Sequence, residues 1–249
     1  MASFAQRVLV IIPGWGGDAS SWKKFTDRAQ KSGEYVDVEV IELPCFGAKS
    51  CPESVWDVPE YATYVQQEIH RIKNKHAHAK IVVLGHSFGG QVLTYMLGHN
   101  GQAGVDAVVL SGAAIIRPKK FVRRALGKAA SFFAKVLLSF TSKKIANNIR
   151  YKLYRVIGSP DYTNAKGMKQ KIFLRVIRFD VQHMLAQITL PTLVVWGSAD
   201  RYTPLRHGKR IHSKIKDATM HIFDGATHGI HIKMPQELHE RIQQFLRTL

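Results

Sequence analysis

Cysteine is scarce in this chain: Cys45 and Cys51 are the only two, and both fall in one loop. Stability therefore cannot rest on a disulfide framework. A local bridge between the two is one option, and two free thiols in a reducing compartment is the simpler reading. Cys and His residues with the spacing of a structural zinc site are also lacking, and the twelve histidines are scattered. Neither a metal nor any other cofactor is expected. Long hydrophobic runs are missing too, so the roughly 20 apolar residues that span a bilayer are not found. The opening Met1-Ala-Ser-Phe-Ala-Gln-Arg has no signal-peptide core, and the expected location is cytoplasmic.

Acidic residues are nearly absent from one stretch. The chain of 249 residues holds 36 Lys and Arg against 18 Asp and Glu. Seventeen of those cations fall between Ile115 and Leu185, where Asp161 and Asp180 are the only acids. Most of the formal net charge of +18 thus belongs to one segment. Such a charge fits a solvated face, an acidic partner, an anionic membrane surface or, last, nucleic acid, for which no recognition motif accompanies it. Elsewhere the composition is that of an ordinary globular protein, long enough to bury a large core.

What is present centres on Ile81 to Gly90, I-V-V-L-G-H-S-F-G-G. The apolar β-branched run predicts a strand buried on both faces, and helix-compatible residues follow at once. Between them, Gly85-His86-Ser87-Phe88-Gly89 matches G-x-S-x-G. A serine on a tight strand-to-helix turn is lifted above the sheet edge, and the flanking glycines let strand and helix approach. The start of the next helix favours negative charge there.

Buried strands are also expected at Arg7 to Ile12, Val105 to Leu110, Pro191 to Trp196 and Ala218 to Phe223, with a further one from Tyr35 to Leu43. Helices are expected after Asp18 or Ser20 to about Lys31, from Val58 to about Lys75 with Asp57 as cap, around Leu205 to Ile215, and from Pro235 to Leu249. This alternation predicts an α/β fold with a mostly parallel, doubly wound sheet and ligands at the strand C-terminal ends. From Ile115 to Ile188 the rhythm breaks. The segment reads as several helices, beginning with Pro118 to Phe140, and an all-helical insertion between core strands reads as a cap. The expected organisation is a core of residues 1–114 and 187–249 with a basic helical cap at 115–186.

A serine hydroxyl needs a base to take its proton, and the base needs a third group to orient it. In a parallel sheet those partners should follow later strands. Asp200 lies just past one strand and His228 just past the next. Asp224 and His231 are the nearest competitors, and His86 is expected to pack beside the turn. Oxyanion donors are expected from the backbone N–H groups of Phe88 and of Trp15 in the loop after the first strand, and both side chains would also line the substrate site.

With Gly14-Trp15-Gly16, Gly85 to Gly90, Gly197-Ser198-Ala199-Asp200 and Ala226-Thr227-His228 in place, the chain resembles the α/β-hydrolase superfamily outside the proposed cap. Ser87 stands where the haloalkane dehalogenase and epoxide hydrolase branches place an aspartate. Within the serine carboxylesterase branch it is similar to the pimeloyl-carrier-protein methyl esterases and monoacylglycerol lipases, though Pro13 replaces a usual histidine and Cys45 a usual glycine. The resemblance implies an α/β-hydrolase fold and hydrolysis of a small-molecule or lipid ester. It also lends weight to an acidic carrier protein, with an anionic membrane surface as the other candidate at the basic segment. The alternative from a different class is a non-catalytic ligand-binding or scaffold protein on the same fold.

Overall fold

The computed structural model describes residues 6–117 and 167–249. The β-branched runs form β1 (Arg7–Ile12), β2 (Asp37–Val40), β3 (Lys80–His86), β4 (Ala107–Ser111), β5 (Thr192–Gly197) and β6 (Ala218–Phe223). They pair in one sheet, in the order β2-β1-β3-β4-β5-β6, and every pairing is parallel. β1, β3, β4 and β5 carry almost no exposed residue, as strands covered on both faces must. The chain divides into two compact units, residues 1–116 with 179–249 and residues 117–178.

Parallel neighbours require crossovers, which helices supply. α1 (Ala19–Lys31) starts where the Asp18 carboxylate accepts from the Ser21 N–H at 3.0 Å. α2 (Val58–Lys75) is capped by Asp57, and Glu60 returns the favour by accepting from the Asp57 N–H. Each cap satisfies a backbone donor that a helix start leaves unpaired. α3 (Phe88–Asn100) follows β3 directly. In the second unit the described helix is α4 (Gly167–Val176), whose last carbonyl accepts from Arg117. A 3₁₀ turn (Gln182–Gln187), α5 (Leu205–His212), a short α6 (Ile230–Lys233) and α7 (Pro235–Leu246) complete the first unit. Among the described residues, no helix is long and apolar enough to cross a membrane.

One core layer joins Trp22, Phe25 and Ala29 of α1 and Leu238, Ile242 and Phe245 of α7 to Leu9, Ile11, Leu84, Val109 and Val195 of the sheet. The alternate strand residues, such as Val10, Val83 and Trp196, are buried on the other side. The chain passes from β1 outward to β2 and then returns to place β3 on the opposite side of β1. Loops leaving β1 and β3 therefore diverge, and the crevice between their ends is where such sheets bind ligands.

Boundaries differ from the sequence expectation where tertiary context intervenes. β2 is regular only over Asp37–Val40 rather than from Tyr35 to Leu43, because it is an edge strand with β1 as sole neighbour. Single bonds from Val36 to the Arg7 carbonyl and from Ile41 to the Ile11 carbonyl extend it at either end. α5 stops at His212, and the final helix at Leu246. Met234, which precedes Pro235, is non-helical at φ −133° and ψ 52° and separates α6 from α7, as a pre-proline residue resists helical backbone. The expected helix from Pro118 to Phe140 lies outside the described residues.

The reading of Cys45 and Cys51 as free thiols is overturned: they form a disulfide. Cys45 is buried and left-handed at φ 73°, and its N–H donates to the Ser50 carbonyl, so the loop already folds back on itself. The bridge closes a short ring, for which chain-entropy reasoning gives about 2 kcal/mol. Thiol titration of the unreduced, denatured protein should therefore find no free thiol. Cys51→Ser should lower the melting temperature by about 5 °C.

Candidate functional site

Ser87 is the single residue between β3 and α3, with φ 50° and ψ −113°. A side chain rarely adopts that backbone, and the cost is borne because the surroundings fix it. Its N–H donates to the Ser111 carbonyl at 3.0 Å, and its carbonyl accepts from Ala114 and Gln91. Gly89 is indispensable to the arrangement, since a Cβ there would lie 2.2 Å from the Ile12 carbonyl oxygen and 2.6 Å from that of Pro13. The start of α3 is thereby pressed onto the end of β1. A Cβ on Gly14 would likewise meet the Ser87 Cβ at 3.1 Å, so the loop after β1 runs alongside the serine.

That approach brings Trp15 and Phe88 into edge contact, with ring centroids 5.6 Å apart. Phe46 lies 4.8 Å from Trp15, and Tyr61 5.2 Å from Phe88. Phe46 and Tyr61 were not among the residues expected at the site. Phe46 sits in the disulfide-closed loop and Tyr61 on α2, so only the fold joins them to it.

Asp200 and His228 meet at the ends of β5 and β6, with Asp200 Oδ2 and His228 Nδ1 2.7 Å apart. The Asp200 side chain is 1% exposed, whereas that of His228 is 18% exposed. Burial pushes the Asp200 carboxyl up, but the bond and charge of His228 and the N–H and hydroxyl of Thr203 outweigh it and bring the group below the usual carboxylate range. An ionised carboxylate can only accept, so Nδ1 of His228 carries the proton and Nε2 is left as the basic nitrogen. Thr203 was not anticipated: its N–H donates to Asp200 Oδ1 at 2.9 Å and its hydroxyl to Oδ2 at 2.8 Å. The Asp200 competitor, Asp224, is exposed and accepts from the Ser198 hydroxyl instead. Among the described residues, the Ser87 hydroxyl makes no hydrogen bond. What connects the two halves of the site is His86, whose ring lies 4.7 Å from that of His228.

His86 packs beside the turn, as expected, and donates from Nδ1 to the Ser111 carbonyl at 3.0 Å. His231 stacks on Trp22 with centroids 3.9 Å apart and planes within 9°, and lies 4.7 Å from His86. Burial, then the nearby His228 and His231, hold His86 well below its ordinary value. Burial and His228 lower His231 to about 4. A separate group, Asp37, Glu39 and His76, clusters three donor atoms. Lys75 already lies 2.7 Å from Asp37 and Arg71 2.7 Å from Glu39, so cations of the chain itself satisfy those carboxylates.

Residues 5–234 match the Hydrolase_4 family, described as serine aminopeptidase, S33. A pimeloyl-[acyl-carrier protein] methyl ester esterase of Vibrio vulnificus is 21% identical over 257 residues, covering 95% of this chain and 93% of that protein. Among solved structures, a membrane phospholipase A superposes with a TM-score of 0.71 at 22% identity, covering 98% of this chain and 79% of the other. An esterase from Exiguobacterium antarcticum gives 0.69 at 17% identity, covering 98% and 92%. The fold is the α/β-hydrolase fold.

His86 and His231 are neutral in the folded protein at pH 7 but would take up protons in the unfolded chain below the ordinary histidine value of 6.5. Their contribution to stability is full above that value and is lost as pH falls towards 4. The expected slope is about 1.4 kcal/mol per pH unit for each imidazole. Urea unfolding between pH 7 and pH 4.5 should show this decline, and His231→Phe, which keeps a ring on Trp22, should flatten it.

Proposed function

The chain belongs to the Hydrolase_4 family and is a hydrolase of the α/β-hydrolase type; from that premise we propose that it cleaves carboxylic esters through a Ser87-His228-Asp200 triad. The observation that carries the reading is the buried Asp200 carboxylate 2.7 Å from His228 Nδ1, at the strand ends where the Ser87 turn also lies. His228 Nε2 takes the Ser87 proton as the hydroxyl oxygen attacks the acyl carbon. The oxyanion accepts from the backbone N–H groups of Phe88, at the start of α3, and of Trp15. His228 then returns the proton to the departing alkoxide, leaving an acyl-enzyme. Water, deprotonated by His228, attacks that ester, and the carboxylic acid leaves as Ser87 regains its proton. Ester rather than amide substrates are supported by the methyl ester esterases among the relatives.

Fluorophosphonate labelling should place an adduct on Ser87 and none on Ser87→Ala. Turnover of p-nitrophenyl esters should exceed that of amino acid p-nitroanilides. Replacing Ser87 or His228 by Ala should cut turnover by roughly 10⁴–10⁶. No labelling and no turnover would point to a ligand-binding protein instead.

The basic segment favours an acidic carrier as the vehicle of the ester. Seventeen cations between Ile115 and Leu185 would steer such a partner, and five of the relatives that share this length are carrier-protein methyl ester esterases. On this reading the cap insertion expected at 115–186 narrows to the second unit, residues 117–178. Binding to an acyl carrier protein should weaken steeply between 50 and 500 mM salt, with anionic vesicles as the competing surface. Salt-insensitive binding to the carrier removes the steering.

A further inference from the structure

His228 has two ring neighbours among the described residues, and they differ in one respect. His86 is buried, whereas Tyr202, with centroids 5.2 Å away and planes at 33°, is 54% exposed. A large aromatic ring left in water beside a reactive imidazole needs a reason, since exposing it forgoes burial. The backbone that carries it is held firmly. The Tyr202 N–H donates to Asp200 Oδ1 at 2.8 Å, and the next residue, Thr203, bonds both oxygens of the same carboxylate. On the far side, the Thr203 carbonyl accepts from Trp196 Nε1 at 2.6 Å. The ring is thus presented from a rigid support while its phenol group makes no hydrogen bond among the described residues.

We propose that Tyr202 is the specificity-determining wall for the alcohol half of the substrate. The inference rests on the triad reading above. When His228 protonates the leaving oxygen, the two must stand within about 3 Å, so the first carbons of the alcohol lie beside the imidazole and within reach of the Tyr202 ring. The acyl half is bound at the other end of the reacting group, beside the oxyanion donors, where Trp15, Phe46 and Phe88 form a separate aromatic cluster. Aromatic rings from different segments of the chain therefore flank the two halves of one ester. Tyr202 favours an alcohol with an apolar or aromatic face over methanol.

Two ester series separate the halves. Butyrate esters of methanol, butan-1-ol and 2-phenylethanol vary the alcohol at nearly constant leaving-group basicity. Methyl esters from acetate to octanoate vary the acid. For Tyr202→Ala the 2-phenylethyl-to-methyl ratio of kcat/KM should fall about tenfold, with the acyl-chain profile unchanged, and Tyr202→Phe should keep the wild-type ratio. Tyr202→Leu, which retains apolar bulk, should fall between them and serves as the second variant. Fluorophosphonate labelling of Ser87 in each variant reports an assembled site. Labelled variants with an unchanged alcohol ratio, or with acyl and alcohol profiles shifted equally, overturn the role of Tyr202. A wild type that is not labelled at Ser87 overturns the reading of the site itself, and this inference with it.

Discussion

The architecture depends on making a strand become a helix within one residue. Ser87 takes up the whole change of direction at positive φ, and the strain is tolerated because backbone bonds to Ser111 at the end of β4, to Ala114 just beyond it and to Gln91 of α3 hold it. The glycines follow from the same constraint. With Gly89 against the Ile12 carbonyl and Gly14 against Ser87, the first loop and the third helix share one space. Any side chain there would push the serine away from the backbone donors proposed to face it.

The second half of the site is built in a different way, through polar satisfaction instead of backbone strain. Asp200 is a nearly inaccessible carboxylate, and burial alone would favour its neutral form. It stays ionised because it has donors for each oxygen, from Tyr202, Thr203 and His228. The charge in turn fixes the tautomer of His228. The histidines behind it contribute no charge of their own at neutral pH, and Trp22 and the Ser111 carbonyl hold them as packing elements.

Much of this was legible in the sequence. The central strands could be read from runs such as Arg7–Ile12 and Ile81–Leu84, because strands covered on both faces need unbroken apolar sequence. The turn at Ser87 could be read because glycine spacing encodes close approach, and the pairing of Asp200 with His228 because each lies in the loop that leaves a strand. The edge strand was overextended, since alternation from Tyr35 to Leu43 continues beyond the residues that β1 can pair with. Phe46, Tyr61, Tyr202 and Thr203 could not be read at all. Their local sequence describes a loop or a helix face, and only tertiary contact gives them a place beside the serine or the imidazole. Free thiols at Cys45 and Cys51 follow from the chemistry of a reducing compartment, a consideration that says nothing about how near two thiols lie.

The sheet order also has a bearing on the sequence of events during synthesis. β1, β3 and β4 with their helices come from the first 111 residues, whereas β5 begins only at Thr192, after the second unit has been made. A nascent chain can therefore complete the strands around the Ser87 turn well before the strands bearing Asp200 and His228 leave the ribosome. Until β5 arrives, β4 is a temporary edge of fully buried residue type, Ala-Val-Val-Leu-Ser, with its pairing groups open. The interval during which this apolar edge waits is set by the length of the intervening unit, so the same insertion that carries the positive charge also times the closure of the sheet.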